Sequence, residues 1–189
     1  VAAEGNVLVV RALQEKTIYN QLELASGRTA KISRGDVVVG ALGIRRALRG
    51  FVGRLPRKFK VGDKLHLLNL GGVIGRCTSA SLEVGRPIEV EVLGMAVRQG
   101  GILNVKDGAL PPAGPIEHSK PLILVAASCM NAGKTAAACE LIQRLSGRGY
   151  KVGGLKISGV ACLRDTLNMQ DHGAVKTASF LDCGLPSTA

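Results

Sequence analysis

The apolar run Leu122-Ile123-Leu124-Val125-Ala126 leads through Ala127-Ser128-Cys129-Met130-Asn131-Ala132-Gly133-Lys134-Thr135 into Ala136-Ala137-Ala138-Cys139-Glu140-Leu141-Ile142-Gln143-Arg144-Leu145. The first five residues have the unbroken apolar character of a buried parallel strand. The small residues after them suit a tight turn, and Ala138, Leu141, Ile142 and Leu145 recur at helical spacing. A chain that turns from strand to helix in this way points backbone N–H groups and the positive end of a helix dipole into one concavity. Such a concavity binds anions, and phosphate is the natural guest.

Gly133-Lys134-Thr135 supplies the closing half of a nucleotide-binding phosphate loop, in which the lysine reaches the β- and γ-phosphates and the hydroxyl holds Mg²⁺. The opening glycine of that loop, six residues before the lysine, is Ser128 here. Serine keeps the side chain small, but a positive φ at that position costs a non-glycine residue about 1 kcal/mol or more. The pattern predicts ATP or GTP held by Ser128, Asn131, Ala132, Gly133, Lys134, Thr135 and Ala136, with Thr135 on Mg²⁺. The competing reading is an ordinary strand-to-helix turn with a solvated lysine.

Beyond the helix and the stop Gly147-Arg148-Gly149, Lys151 to Val160 reads as the next strand. Paired with Leu122–Ala126 it would complete a right-handed parallel βαβ unit. Lys156 then falls near the carboxyl end of its strand, the edge where open α/β sheets bind ligands.

The succession of strand, Asn131-Ala132-Gly133-Lys134-Thr135, helix, Arg148-Gly149-Tyr150-Lys151-Val152 and Gly154-Leu155-Lys156-Ile157-Ser158-Gly159 resembles the start of dethiobiotin synthetases. It is also similar to the GTP-binding proteins of molybdopterin-guanine-dinucleotide biosynthesis, which belong to the same class of P-loop proteins. The resemblance covers about residues 120–175. It implies that Lys156 faces the substrate and the reacting phosphate, and that Asp165 or Asp171 assists the metal. The pattern departs at Ser128, and neither family carries a β domain in front. Read from the residues alone, Asp165 can equally cap or start a short helix over Thr166–Gln170.

Upstream, Asn6–Leu13, Thr17–Leu24, Thr29–Ser33, Val37–Gly43, Lys64–Leu70, Val73–Cys77 and Pro87–Val97 read as short strands separated by glycine turns. They predict a compact barrel of about six strands over residues 1–108. Asp107 to Pro115 holds three prolines in five positions and reads as an extended linker, 109–118, ahead of a second domain from 119 to 189. The predicted fold is thus an α/β P-loop NTPase domain, truncated, preceded by a small all-β barrel-like domain. Only two clear strands follow the linker, so the parent chain is expected to continue past Ala189.

The formal net charge is +11. Residues 1–114 carry 17 Lys/Arg against 9 Asp/Glu, so most of the surplus lies in the β region. Arg45, Arg46, Arg49, Arg54, Arg57, Lys58, Lys60 and Lys64 fall in one stretch opposed only by Asp63. That density suits nucleic acid or an anionic ligand, although few aromatic rings are at hand for stacking bases. A solvated face is the plainer alternative. Five scattered cysteines without a Cys-x-x-Cys pair argue against a disulfide framework or a zinc site. No apolar run approaches membrane length and no signal peptide opens the chain, which together point to the cytoplasm.

Function follows in two versions. In the first, the protein is an enzyme that transfers a phosphoryl group to a small molecule or uses a nucleotide to drive its ligation. Lys134 and Lys156 carry the chemistry there, and Thr135 and Asp165 hold the metal. In the second it is a regulatory NTPase whose basic β domain, through Arg45 to Lys64, binds nucleic acid or a protein partner. Assembly into a homo-oligomer is compatible with either.

Overall fold

A computed structural model describes residues 2–47, 49–115, 120–128 and 132–188, so the end of the expected linker, 116–118, lies outside the described residues. Among the described residues, eleven strands precede the linker. They are β1 (Val7–Ala12), β2 (Gln21–Glu23), β3 (Thr29–Lys31), β4 (Val37–Leu42), β5 (Arg45–Arg46), β6 (Phe51–Arg54), β7 (Lys64–Leu67), β8 (Val73–Ala80), β9 (Ile88–Met95), β10 (Val97–Arg98) and β11 (Gly101–Ile102). After it come helix α1 (Lys134–Ser146), β12 (Gly153–Lys156), α2 (Leu163–Asp171) and β13 (Lys176–Ser179).

Seven strands form one sheet in the order β4-β1-β9-β7-β8-β6-β5. All its neighbouring pairs are antiparallel, and a further parallel pairing of β4 with β8, Ala41 opposite Val73 and Leu42 opposite Ile74, bends five of the strands into a ring. Alternation puts one face of each strand inside that ring. In β9, Ile88, Val90 and Val92 are buried while Glu89 and Glu91 reach outward. Leu8, Val10, Leu42, Leu65, Leu67 and Ile74 complete the interior. A second apolar cluster of Phe51, Leu68, Val73 and Val84 lies where β6 extends the sheet beyond the ring. The β7–β8 turn is held by buried Asn69, whose Oδ1 accepts from the amides of Gly71 at 3.0 Å and Val73 at 3.2 Å.

The chain does not adopt the α/β P-loop fold that its central motif predicts. Strand accounts for 32% and helix for 17% of it, the large sheet is antiparallel, and only two α-helices occur among the described residues. The decisive correction concerns Leu122–Ala126, which forms no strand and leaves Leu122 88% exposed. A central parallel strand needs neighbours on both edges and helices on both faces. β12 instead pairs with β13, Gly153 opposite Lys176 through Lys156 opposite Ser179, and makes a sheet of two.

That small sheet is nonetheless a parallel β12-α2-β13 unit, covered by α1 and α2 through Cys139, Ile142, Met169 and Ala174. It is tied to the barrel at several points. The Leu110 amide donates to the Asp182 carbonyl at 2.8 Å, and the Ser187 hydroxyl donates to the Ile44 carbonyl. No helix among the described residues is long and apolar enough to cross a membrane.

Candidate functional site

Gly133 adopts φ 81° and ψ 9°, a left-handed conformation that glycine alone takes up without strain, and hands the chain directly into α1 at Lys134. Its carbonyl accepts the first helical bond, from the Ala137 amide at 2.9 Å. Because Gly133 has no side chain, none caps the helix, and no acid lies in its first turn. The leading amides of an α-helix point away from it without intrahelical partners. Lys134 and Thr135 are half-buried at this end, whereas Ser128, Ala132, Gly133 and Ala136 are exposed. Asn131 lies outside the described residues, as do Cys129 and Met130.

The second cluster forms at the carboxyl end of β12. Lys156, its last residue, ion-pairs with Asp165 in the first turn of α2, their side chains 11% and 21% exposed. The structure therefore brings together two of the residues expected in the site, and it distinguishes the two candidate acids. Asp171 is the last residue of α2, about 9 Å further along the helix by its rise per residue. The Lys156 ammonium engages Oδ2 of Asp165, which leaves the other carboxylate oxygen to face a metal. No group of three His, Cys, Asp or Glu able to hold a metal occurs among the described residues. A Mg²⁺ site built from one hydroxyl, one carboxylate, phosphate oxygens and water needs no such group.

Packing links the two clusters. Cys139 sits one turn after Thr135 on the face of α1 that meets α2; burial raises its thiol pKa, and the carboxylates of Asp165 and Asp171 raise it further. Cys162, immediately before α2, is pushed up to about 12, mainly by burial and next by the negative charge of Glu23.

Glu23 is the residue that sequence reasoning missed. Its carboxylate, on β2 of the barrel region, accepts from the amides of Leu163 at 2.7 Å and Arg164 at 3.2 Å, and so caps α2. The only local signal was a glutamate in an alternating strand, which carries no information about a helix 140 residues later. His172 is occupied structurally, its Nδ1 2.7 Å from the Asn168 carbonyl.

The basic stretch separates into residues of different kinds. Arg45 is buried, at 7% exposure, and its Nε has no hydrogen-bond partner. Lys64 is paired with Glu89 at 2.8 Å. Arg46 and Arg54 are exposed, and Arg54 stands directly opposite Arg76 of β8. β6 packs with β5 and β8, while α1 packs with α2 and β12. Comparisons of the chain with protein-family models, with curated proteins and with solved structures return no match.

Proposed function

We propose that the segment 128–136 binds the phosphates of ATP or GTP with Mg²⁺, and that the protein couples this nucleotide to the chemistry of a small-molecule substrate, by phosphoryl transfer or by ligation. The observation that carries the reading is the junction at Gly133, where a left-handed glycine delivers Gly-Lys-Thr onto the start of a helix with no side-chain cap and no acid in its first turn. Backbone amides, the helix dipole and the Lys134 ammonium then address one anion. The reading asks for no five-stranded sheet around the loop.

In this scheme the bound Mg²⁺ neutralises charge on the phosphates. Thr135 offers the hydroxyl on its side, and Lys134 stabilises charge that develops as the terminal phosphoryl group departs. Asp165 would hold the metal together with Thr135, and Lys156 would orient the acceptor. Isothermal titration of ATP and GTP with Mg²⁺ tests the reading directly. The unaltered protein is expected to release heat with at least one nucleotide and Lys134→Ala with neither. Equal heats from both proteins would remove the proposal.

A second reading, in which the β region docks a polyanionic partner, is favoured by one observation, the unneutralised juxtaposition of Arg54 and Arg76.

A further inference from the structure

The outer face formed by β5, β6 and β8 carries like charges at close quarters. Arg54 is directly across from Arg76, and Arg46 is across from Val52, two residues before Arg54 on the same face. Facing residues on adjacent strands lie about 5 Å apart and diagonal ones about 7–8 Å. None of the three arginines forms a salt bridge among the described residues, where the ion pairs are Arg11 with Glu91, Lys64 with Glu89, Arg144 with Glu140, and Lys156 with Asp165. On the opposite face of the same two-strand ribbon, Arg45 is across from Gly53 and buried with its Nε unpartnered.

Both arrangements cost stability in the isolated chain. Like charges directly opposite on a sheet repel, and a buried cation lacking a counter-ion is heavily penalised. An acidic side chain at any one of these positions would relieve the strain, yet the only acid between residues 45 and 64 is Asp63. Asp63 is already engaged, its carboxylate accepting from the Lys60 amide at 3.0 Å. A polyanion laid across the outer face relieves the repulsion between Arg54 and Arg76, while Arg45, buried on the other face, is out of its reach.

We infer that this face docks nucleic acid through its sugar-phosphate backbone, with Arg46, Arg54 and Arg76 as the phosphate contacts. The inference deepens the docking reading above and rests on it, but does not depend on the phosphate loop. Arginine's planar fork matches phosphate oxygens in pairs and is weakly hydrated, so it gives up water readily. Beside Arg46 is a shallow hollow of about 280 Å³ lined by Gly50, Val52, Ser79 and Ser81, and the Ser81 hydroxyl is buried without a partner. That hollow admits a ribose or base edge. Phe51, the nearest ring, is buried beneath the sheet against Tyr19 and cannot stack on a base. Binding is therefore carried by phosphates, indifferent to sequence and steeply dependent on salt.

The geometry also revises which residues matter. Arg45 is inside and Lys64 is spent on Glu89, so neither end of the basic stretch makes contact; Arg76, outside that stretch, does.

Fluorescence anisotropy of a labelled thymidine 20-mer, titrated with the chain between 50 and 200 mM KCl, tests this. Three phosphate contacts on a single strand predict a slope of log affinity against log salt of about −2. Arg54→Gln/Arg76→Gln should weaken binding at least tenfold and flatten the slope by about 1.4. Its thermal midpoint should equal or exceed that of the unaltered chain, because a repulsion has been removed. Lys134→Ala should bind the oligonucleotide unchanged, which separates this inference from the nucleotide proposal. Unchanged affinity and slope in the double variant would overturn it, as would no binding at 50 mM KCl. It is equally overturned if Lys134→Ala abolishes binding, or if polyglutamate of the same length competes as well as the oligonucleotide.

Discussion

The carboxylate of Glu23, on β2, accepts the backbone N–H of Leu163 at 2.7 Å, so a strand of the barrel region caps a helix of the βαβ unit. A carboxylate at a helix N-terminus satisfies amides that have no intrahelical partner and opposes the dipole. Replacing such a cap costs about 1 kcal/mol. Glu23→Ala should lower the urea midpoint accordingly and speed hydrogen exchange at Leu163 and Arg164, with Glu23→Gln intermediate. Unchanged exchange at both amides would show that the cap contributes nothing.

Lys156 and Asp165 are mostly buried, so neither tolerates loss of the other. Removing one partner of a fully buried pair costs about 3–5 kcal/mol. Here partial exposure reduces that to about 2 kcal/mol for Lys156→Met. Replacing both, as Lys156→Met/Asp165→Leu, should recover most of the loss, since an apolar pair of similar volume avoids the desolvation of two charges. Chemical denaturation of the three variants checks the coupling; additive losses would contradict it.

Cys162 makes stability fall in alkali. Its thiol titrates at about 12 in the fold against 9.0 for the exposed group. Above pH 9 the unfolded chain loses a proton that the folded chain keeps, so the unfolded state binds fewer protons and stability declines as pH rises towards 12. Urea unfolding at pH 8, 9 and 10 should show the decline, and Cys162→Ala should flatten it. Peptide mapping after alkylation at pH 8 should find exposed Cys183 modified long before Cys162 or Cys139.

At Gly40 of β4 a neighbouring backbone passes close. A Cβ there would lie 2.4 Å from the Gly72 carbonyl oxygen, a backbone atom that cannot swing aside. Gly40→Ala should therefore cost about 2 kcal/mol or more, within the range for overpacked sites. Gly94→Ala, which would meet nothing within 4 Å, serves as the control and should leave the melting temperature in place.

What the residues disclosed beforehand depended on how local the determining forces were. The alternation Ile88-Glu89-Val90-Glu91-Val92 announces a half-buried strand because each side chain's fate is set by its own parity. Asn69-Leu70-Gly71-Gly72 announces a turn because glycine and an Asn side chain solve the backbone locally. Thr17–Leu24 promised a longer strand than Gln21–Glu23, since pairing with β3 extends over three residues only. Leu122–Ala126 misled for the opposite reason. Its apolar run specifies burial but not a partner, and whether a strand forms there depends on neighbours and covering helices elsewhere in the chain. Within the site, Gly133-Lys134-Thr135 at a helix start was legible from spacing, and so was Lys156 at a strand end. The ion pair of Lys156 with Asp165 needed the helix, and Glu23 and Arg76 needed the tertiary fold.

The bond from the Leu110 amide to the Asp182 carbonyl pins the chain at the mouth of its proline-rich segment. Downstream of it, Leu163, Ser187 and Asp182 are held by Glu23, Ile44 and Leu110. A protease that nicks the exposed stretch from Pro111 to Pro115 would sever the covalent tether without releasing either piece. The two fragments should travel as one species through gel filtration and part company only in denaturant.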